Sequence, residues 1–145
     1  MPLGQTTRKN ILDYIFGKAS LTGAPTAGGE FWLTLHTASP GVDGQTSNEV
    51  STSSTGYAPQ ETDTADWAAA SAASPSVLVS SVAFLFGPAE GSGFGTVTHY
   101  ALWNHATNRA AANFLGAEAI TGGGQEITAG QSLNFPAGSL TFSFA

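Results

Sequence analysis

Apolar and polar side chains alternate with a period of two through the second half of the chain, and this pattern constrains the fold most. Phe84 and Phe86 lie two positions apart, and Leu140, Phe142 and Phe144 repeat the spacing near the end of the sequence. Alternate positions of a β-strand lie on one face of its sheet, so such runs predict half-buried strands. Turn residues separate seven or eight of these runs. The sequence therefore predicts an all-β domain, a β-sandwich with a jelly-roll-like arrangement.

The predicted strands begin at residue 31, where Phe31, Leu33 and Leu35 alternate with more polar positions. Further strands are predicted at residues 57–62, 77–86, 94–103, 113–119, around 127, at 133–135 and at 140–144. Pro59 lacks a backbone N–H and places the second of these at a sheet edge. The alanine-rich stretch from Trp67 fits a helical turn or a loop equally well. The apolar last strand must be docked, and pairing within its own sheet is favoured over pairing with a neighbouring subunit.

One amphipathic helix is predicted before the strands, over residues 6–17. Apolar residues spaced by four form a stripe along it, and Arg8 and Lys9 fall in its first turn. The helix dipole disfavours cations there, which indicates either an acidic partner or a solvated, frayed end. We predict a helical docking arm at residues 1–18, a linker at 19–29 and a β-sandwich domain at 30–145.

Charge is scarce and unevenly distributed, and this narrows the possible functions. Only 10% of the 145 residues are charged, and Arg109 is the one basic residue after position 18, against nine acidic ones. A surface of this kind suits packing against neighbours or exposure outside a cell, and its acidity argues against a nucleic-acid partner. The absence of cysteine excludes disulfides, thiolate catalysis and iron–sulfur clusters. No apolar segment is long enough to span a membrane.

Motifs that carry catalysis or bind cofactors are weak in this chain. The Gly91-x-Gly93-x-Gly95 spacing precedes a strand and has no lysine after it, so it predicts a hairpin turn and not a phosphate loop. The three histidines lack a metal-binding spacing and are predicted to face solvent or an interface: His36, His99 and His105. No serine lies in a nucleophile elbow. We expect no enzyme activity, no cofactor and no metal.

Two clusters are better suited to contact than to catalysis. Glu61, Asp63 and Asp66 are predicted to form a solvated acidic loop or a partner contact, since the order of a calcium loop is absent. Trp32 and Trp103 fall on the strand faces opposite the main apolar set. That placement predicts exposed aromatics or aromatics at a subunit interface, and together with Trp67 a sugar-stacking platform.

Several short motifs occur in order along residues 10–144: Asn10-Ile11-Leu12-Asp13, Leu33-Thr34-Leu35-His36-Thr37-Ala38-Ser39-Pro40-Gly41, Asn48-Glu49-Val50-Ser51, Gly56-Tyr57-Ala58, Gly95-Thr96-Val97-Thr98-His99-Tyr100-Ala101-Leu102-Trp103 and Ala129-Gly130-Gln131-Ser132-Leu133-Asn134-Phe135-Pro136-Ala137-Gly138-Ser139-Leu140. In this ordered set the chain resembles small virion proteins of tailed phages, either tail-fibre-like or capsid decoration (cement) proteins. The longer alanine- and serine-rich stretch at 66–76 departs from the family pattern. The resemblance implies a β-sandwich virion component without enzyme activity.

Two functions follow from the residues and the resemblance together. The first is a capsid decoration protein on the outer head surface, a homotrimer that binds the major capsid protein and stabilises its contacts. The alternative is a tail-tip or tail-fibre-associated module that binds a host glycan through its tryptophans. A hydrolase whose site assembles only in space is least favoured. The residues predicted to contact a partner are Arg8, Lys9, Ile11, Leu12, Ile15, Phe16, Lys18, Trp32 and Trp103.

Overall fold

The computed structural model describes residues 4, 7–9, 11, 16, 31–71 and 76–144, and strands dominate them. The strands, numbered in chain order, are β1 (Phe31–His36), β2 (Gln60–Thr62), β3 (Trp67–Ala68), β4 (Ser76–Ser80), β5 (Phe84–Phe86), β6 (Gly95–Val97), β7 (His99–Trp103), β8 (Phe114–Ala119), β9 (Gln125–Ile127), β10 (Leu133–Phe135) and β11 (Thr141–Phe144). Two 3-10 helices, Thr64–Asp66 and Ala111–Asn113, lie between strands. The prediction of an all-β fold is confirmed.

A four-stranded antiparallel sheet with the order β2-β1-β7-β8 contains the longest strands. Strand β1 pairs with β7 along five positions, from Trp32 opposite Trp103 to His36 opposite His99. Because directly paired residues of antiparallel strands share a face, Leu33 lies beside Leu102, and both point into the main core. The predicted edge position of the strand near residue 60 is confirmed, since β2 is the first strand of this sheet.

The remaining strands form smaller antiparallel sheets with the orders β10-β5, β11-β4-β3 and β6-β9. Their aromatic side chains meet one face of the four-stranded sheet in a single core cluster, in which Tyr100 packs edge-on against Phe135 and Phe142. Apolar burial of this kind is the main favourable term in folding. The strands are divided among four sheets, so the predicted jelly-roll-like sandwich is not confirmed.

Two long predicted strands are each divided in the structure. The run 77–86 becomes β4 and β5, which pair in different sheets, and Val82 between them is 36% exposed and not part of the apolar face. The run 94–103 divides at Thr98 into β6 and β7, which also pair in different sheets. In the second run the core-facing positions change phase at the break, because Val97 of β6 lies in the main core together with Tyr100 and Leu102 of β7. A fixed period of two does not predict such a change.

The two ends of the strand region also test predictions. Strand β11 pairs with β4 of the same chain from Thr141 to Phe144, which confirms that the last strand docks within its own molecule. The stretch after Trp67, predicted as helical turn or loop, instead begins with β3, and the 3-10 helix precedes it. Residues 72–75 of that stretch lie outside the described residues.

Only part of the predicted N-terminal helix lies within the described residues. Residues 7–9 and 11 are helical, and the Arg8 N–H donates to the Gly4 carbonyl at 3.0 Å, as in an α-helical turn. Gly4 N–H donates to the Leu115 carbonyl at 3.1 Å and the Thr7 hydroxyl to the Phe114 carbonyl at 2.7 Å. These two bonds fix the segment to β8. The predicted helix ends and the linker at 19–29 lie outside the described residues.

The second face of the four-stranded sheet is also covered, by the loop that follows β1. Gly44 in this loop has φ +70°, and a Cβ atom there would lie 2.6 Å from both the Phe114 Cγ and the Trp103 Cη2 atoms. Trp103, Phe114 and Ala101 form a second, smaller core beneath it. Only glycine satisfies both the left-handed backbone and the close approach.

We expect the substitution Gly44→Ala to destabilise the fold more than Gly41→Ala in the same loop. Gly41 has φ +71° with open space around it, so both variants incur the same backbone strain of about 1–2 kcal/mol. Only Gly44→Ala adds overpacking against the two rings, at about 1–3 kcal/mol. Urea unfolding measures the difference. Equal free energies of unfolding for the two variants would contradict the packing of this loop on the aromatic pair.

Candidate functional site

The three tryptophans occupy different environments, and this separates the predicted contact residues. Trp103 is fully buried and packs against Phe114 with ring centroids 5.0 Å apart. Trp67 is buried between Phe84 and Phe142, and its Nε1–H donates to the Thr62 hydroxyl at 2.9 Å. The predicted exposure of Trp103 is therefore wrong, and a platform of three tryptophans is excluded. Trp32 alone of the three remains partly exposed.

Trp32 lies at one end of an aromatic row that crosses the four-stranded sheet. It is directly opposite Trp103 on β7, which in turn is opposite Phe114 on β8. The sequence correctly placed Trp32 and Trp103 on the face opposite the main core. Trp103 is buried because loops cover the middle of that face, whereas the row ends in solvent at Trp32.

A chain of hydrogen bonds runs under the covering loop, beginning at the buried Trp103 indole. Trp103 Nε1–H donates to the Thr34 hydroxyl at 2.9 Å, which is 2.9 Å from His36 Nε2. His36 Nδ1 is 3.0 Å from Asn48 Oδ1, and Asn48 Nδ2 donates to the Ser39 carbonyl at 2.8 Å. Since Asn48 presents its oxygen to the ring, Nδ1 carries the proton and Nε2 accepts from Thr34. The chain fixes the loop to the sheet.

This arrangement holds His36 in its neutral form. Burial lowers the pKa of His36 below its ordinary value of 6.5, against an opposing contribution from its bond to Asn48. The prediction of a solvent-facing or interface histidine is wrong for this residue, which is fully buried. His99 is its cross-strand partner and is partly exposed; burial lowers its pKa also.

An ion pair joins the loop after β1 to the loop after β7. Arg109 Nε donates to Glu49 Oε2 at 3.1 Å, and both side chains are mostly buried, 12% and 14% exposed. The Arg109 guanidinium also lies 5.2 Å from the centre of the Trp103 ring, within range of a cation–π contact. On the other side of the pair, the Tyr57 hydroxyl donates to Glu49 at 3.4 Å and accepts from the Leu35 N–H at 3.0 Å.

The local sequence predicts no role for Glu49 or Arg109, although the composition distinguishes the arginine. Arg109 is the single basic residue after position 18. Its partner, 60 residues away, is one of nine acidic residues in this part of the sequence, and nothing local selects it.

A cleft of about 600 Å³ opens beside Trp32, between the two loops that the ion pair joins. Ligand-binding clefts commonly have volumes of this size. Its walls combine the indole and a proline with hydroxyl side chains and the ion pair: Trp32, Thr46, Glu49, Val50, Ser51, Thr52, Ala58, Pro59, Ala106, Thr107 and Arg109. A second depression of about 360 Å³ lies against Trp32 and is lined also by Asn104, His105 and Ala106. The indole therefore borders two open spaces.

Other candidate groups have structural roles. Asp63 and Asp66 form a reciprocal cap on the 3-10 helix at Thr64–Asp66, and Asp66 also accepts a bond from the Thr62 hydroxyl at 3.0 Å. The glycine spacing at 91–95 contains a turn, with positive φ at all three glycines. The predicted hairpin is wrong, because the flanking strands β5 and β6 pair in different sheets. Within the described ranges, no group of three or more His, Asp or Glu side chains is arranged to hold a metal ion. No helix in those ranges has the length and apolar character of a membrane span.

The predicted contact residues of the N-terminal arm are described in part. Lys9 and Phe16 are exposed, Phe16 to 70%, whereas Arg8 and Ile11 are half-buried. The other three lie outside the described residues: Leu12, Ile15 and Lys18. Contact between any of these seven residues and a partner stays a prediction.

We expect the stability of the protein to decrease as the pH falls below about 6.5. The pKa of His36 is lowered in the folded state, so the unfolded chain binds the proton more readily and acid favours unfolding. The stabilisation that the neutral His36 ring provides is fully present above pH 6.5 and is lost as the pH falls towards the pKa of the folded state. Over that range the free energy of unfolding changes by at most about 1.4 kcal/mol per pH unit.

Urea unfolding of the wild type and the His36→Gln variant between pH 5 and pH 8 tests this expectation. The free energy of unfolding of the variant is expected to depend less on pH than that of the wild type, with His99 still contributing to the dependence. An NMR titration of the His36 ring in the wild type provides a measurement that does not depend on the variant. A ring pKa at or above 6.5 would contradict the buried, neutral state of His36.

The chain was compared with known protein families and with curated proteins. The family model described as "Podophage GP4 fiber I protein gp80" matches residues 2–143. No curated protein matches the chain. The predicted resemblance to phage virion proteins is thereby confirmed, and between its two branches the match favours fibre over capsid decoration. The chain belongs to the family of the podophage GP4 fiber I protein gp80 and is a phage virion structural protein.

Proposed function

We propose that this protein is a tail-fibre-associated module of a phage virion that binds a glycan of the host surface through the cleft at Trp32. Its membership of a fibre family supports a position on the tail. The observation that carries the binding role is the partly exposed Trp32 indole, which borders a 600 Å³ cleft with hydroxyl-bearing walls. Aromatic residues of this kind dominate the energy of many recognition surfaces.

The position of Trp32 within the sheet supports a binding role more strongly than the residue types of the cleft do by themselves. Strand β1 is an interior strand of its sheet, paired with β2 on one side and β7 on the other. The cleft walls are connected across the sheet by the Glu49–Arg109 ion pair. A site built on paired strands and a joined pair of loops loses little freedom when a ligand binds, which favours affinity.

The N-terminal segment of residues 1–18 attaches the module to the rest of the virion in this proposal. Three of the four basic residues lie in it, and Phe16 is the most exposed large apolar side chain of the described residues. Self-association, as a homotrimer, accompanies attachment. The charge-poor surface of the remaining chain supports a body that packs against neighbouring subunits.

Labelling of the protein on intact virions, followed by electron microscopy, tests the location. We expect label at the tail and a low copy number per particle. Label over the head with hundreds of copies would overturn the proposal in favour of capsid decoration, with the major capsid protein as partner. Phe16→Ser is expected to reduce incorporation into virions without lowering the free energy of unfolding, because the side chain is exposed.

Binding of the purified protein to host cells of the phage tests the role of the cleft. The Trp32→Ala variant is expected to lose binding by roughly tenfold or more, as is typical of an aromatic anchor residue. Leu85→Ala is the matched control, since Leu85 is a large apolar side chain, 55% exposed, that does not line the cleft. Undiminished binding by Trp32→Ala, with both variants folded, would overturn the proposed site.

A further inference from the structure

The charge arrangement of the cleft at Trp32 narrows the class of ligand beyond the proposed function. Its walls contain one cation, Arg109, and one anion, Glu49. These two side chains bind each other, with Arg109 Nε 3.1 Å from Glu49 Oε2 and Nη2 3.4 Å from Oε1. The pair therefore contributes no net charge to the cleft.

Three of the five N–H donors of Arg109 are already used within the protein, and its charge is balanced by Glu49. Its Nη1 donates to the His105 carbonyl at 2.8 Å, and the guanidinium carbon lies over the Trp103 ring, 5.2 Å from its centre. A carboxylate or phosphate that bound the Nε–Nη2 edge of the guanidinium would have to displace Glu49, whose own position is fixed also by Tyr57. Separating a mostly buried pair leaves an uncompensated charge on Glu49, which is costly. The cleft is consequently unsuited to anionic groups.

The remaining walls match a neutral, hydroxyl-rich ligand. Four exposed residues line the cleft with hydroxyl groups that donate and accept hydrogen bonds: Thr46, Ser51, Thr52 and Thr107. Trp32 provides the apolar surface, and Pro59 extends it. A pyranose ring offers the complementary combination, because its C–H face packs on an aromatic plane while its rim of hydroxyls bonds to the walls.

We infer that the cleft at Trp32 binds a neutral saccharide, and that the Glu49–Arg109 ion pair excludes sialylated, uronic-acid-containing and phosphorylated glycans. This inference rests on the proposed glycan-binding function and names the class of its ligand. Trp32 stacks on the sugar ring. Glu49 and Arg109 are positioning residues that hold the two loops at the spacing of the cleft and keep its charge balanced.

An array of neutral hexose- and N-acetylhexosamine-terminated glycans, printed beside sialylated, uronic-acid-containing and phosphorylated glycans, tests the inference with the purified full chain. We expect binding to neutral members alone. Titration calorimetry with a soluble form of the best neutral oligosaccharide should give a dissociation constant that changes less than twofold between 50 and 500 mM NaCl, since no charged contact is made.

Variants relate the binding to the named residues. Trp32→Ala is expected to weaken binding of the neutral oligosaccharide roughly tenfold or more, Trp32→Phe less, and the control Leu85→Ala not at all. Glu49→Gln frees Arg109 and is expected to admit anionic glycans that the wild type rejects. Should this variant not fold, the salt dependence of the wild type still tests the charge argument.

The outcomes separate this inference from the proposed function. Binding of the wild type to anionic glycans only, or a dissociation constant that rises steeply with salt, would overturn the neutral-ligand inference while leaving the host-binding role in place. If the wild type binds neither host cells nor any glycan of the array, the proposed function itself is overturned. Binding to neutral glycans that Trp32→Ala leaves unchanged would overturn the assignment of the cleft.

Discussion

The hydrogen bond from the Trp103 indole to the Thr34 hydroxyl is the interaction on which the second face of the sheet depends. Trp103 is the largest fully buried side chain of the described residues, and its one polar group needs a partner inside the protein. The Thr34 hydroxyl is this partner, and it also bonds to His36, which in turn bonds to Asn48 of the loop after β1. Without the hydroxyl, two buried polar groups would be left unpaired, each at about 1–3 kcal/mol.

The burial of Trp103 also determines where a ligand can bind. The loop after β1 packs on the middle of the aromatic row through Gly44, and Arg109 of the loop after β7 lies over the Trp103 indole. The row ends at Trp32, which this cover does not reach, and the cleft opens there. The Glu49–Arg109 ion pair connects the two loops across the sheet. The same residues thus cover the second core and line the candidate site. A substitution that disrupts this core is therefore expected to disrupt the cleft as well.

Features of the fold that depend on neighbouring residues could be predicted from the sequence, whereas features that depend on distant residues could not. Alternation over five or six residues is local, and it correctly assigned Leu33 and Leu35 to one face and Trp32 and Trp103 to the other. Sheet membership is not local. The run 94–103 divides between two sheets, because the partners of each half lie elsewhere in the chain. Glu49 and Arg109 are 60 residues apart, and the residues next to each of them do not indicate that they pair.

The sequence by itself determined that the chain is all-β, which residues of β1 and of β7 share a face, and that the chain resembles phage virion proteins, since these depend on local patterning and on the order of short motifs. Tertiary structure decided which of the aromatic residues remain accessible. Trp32 and Trp103 are equivalent in their strand pattern, but only Trp103 lies under Gly44 and Arg109. The physical reason is that a strand fixes the direction of a side chain, whereas the loops that cover it come from distant sequence, and burial is a property of both.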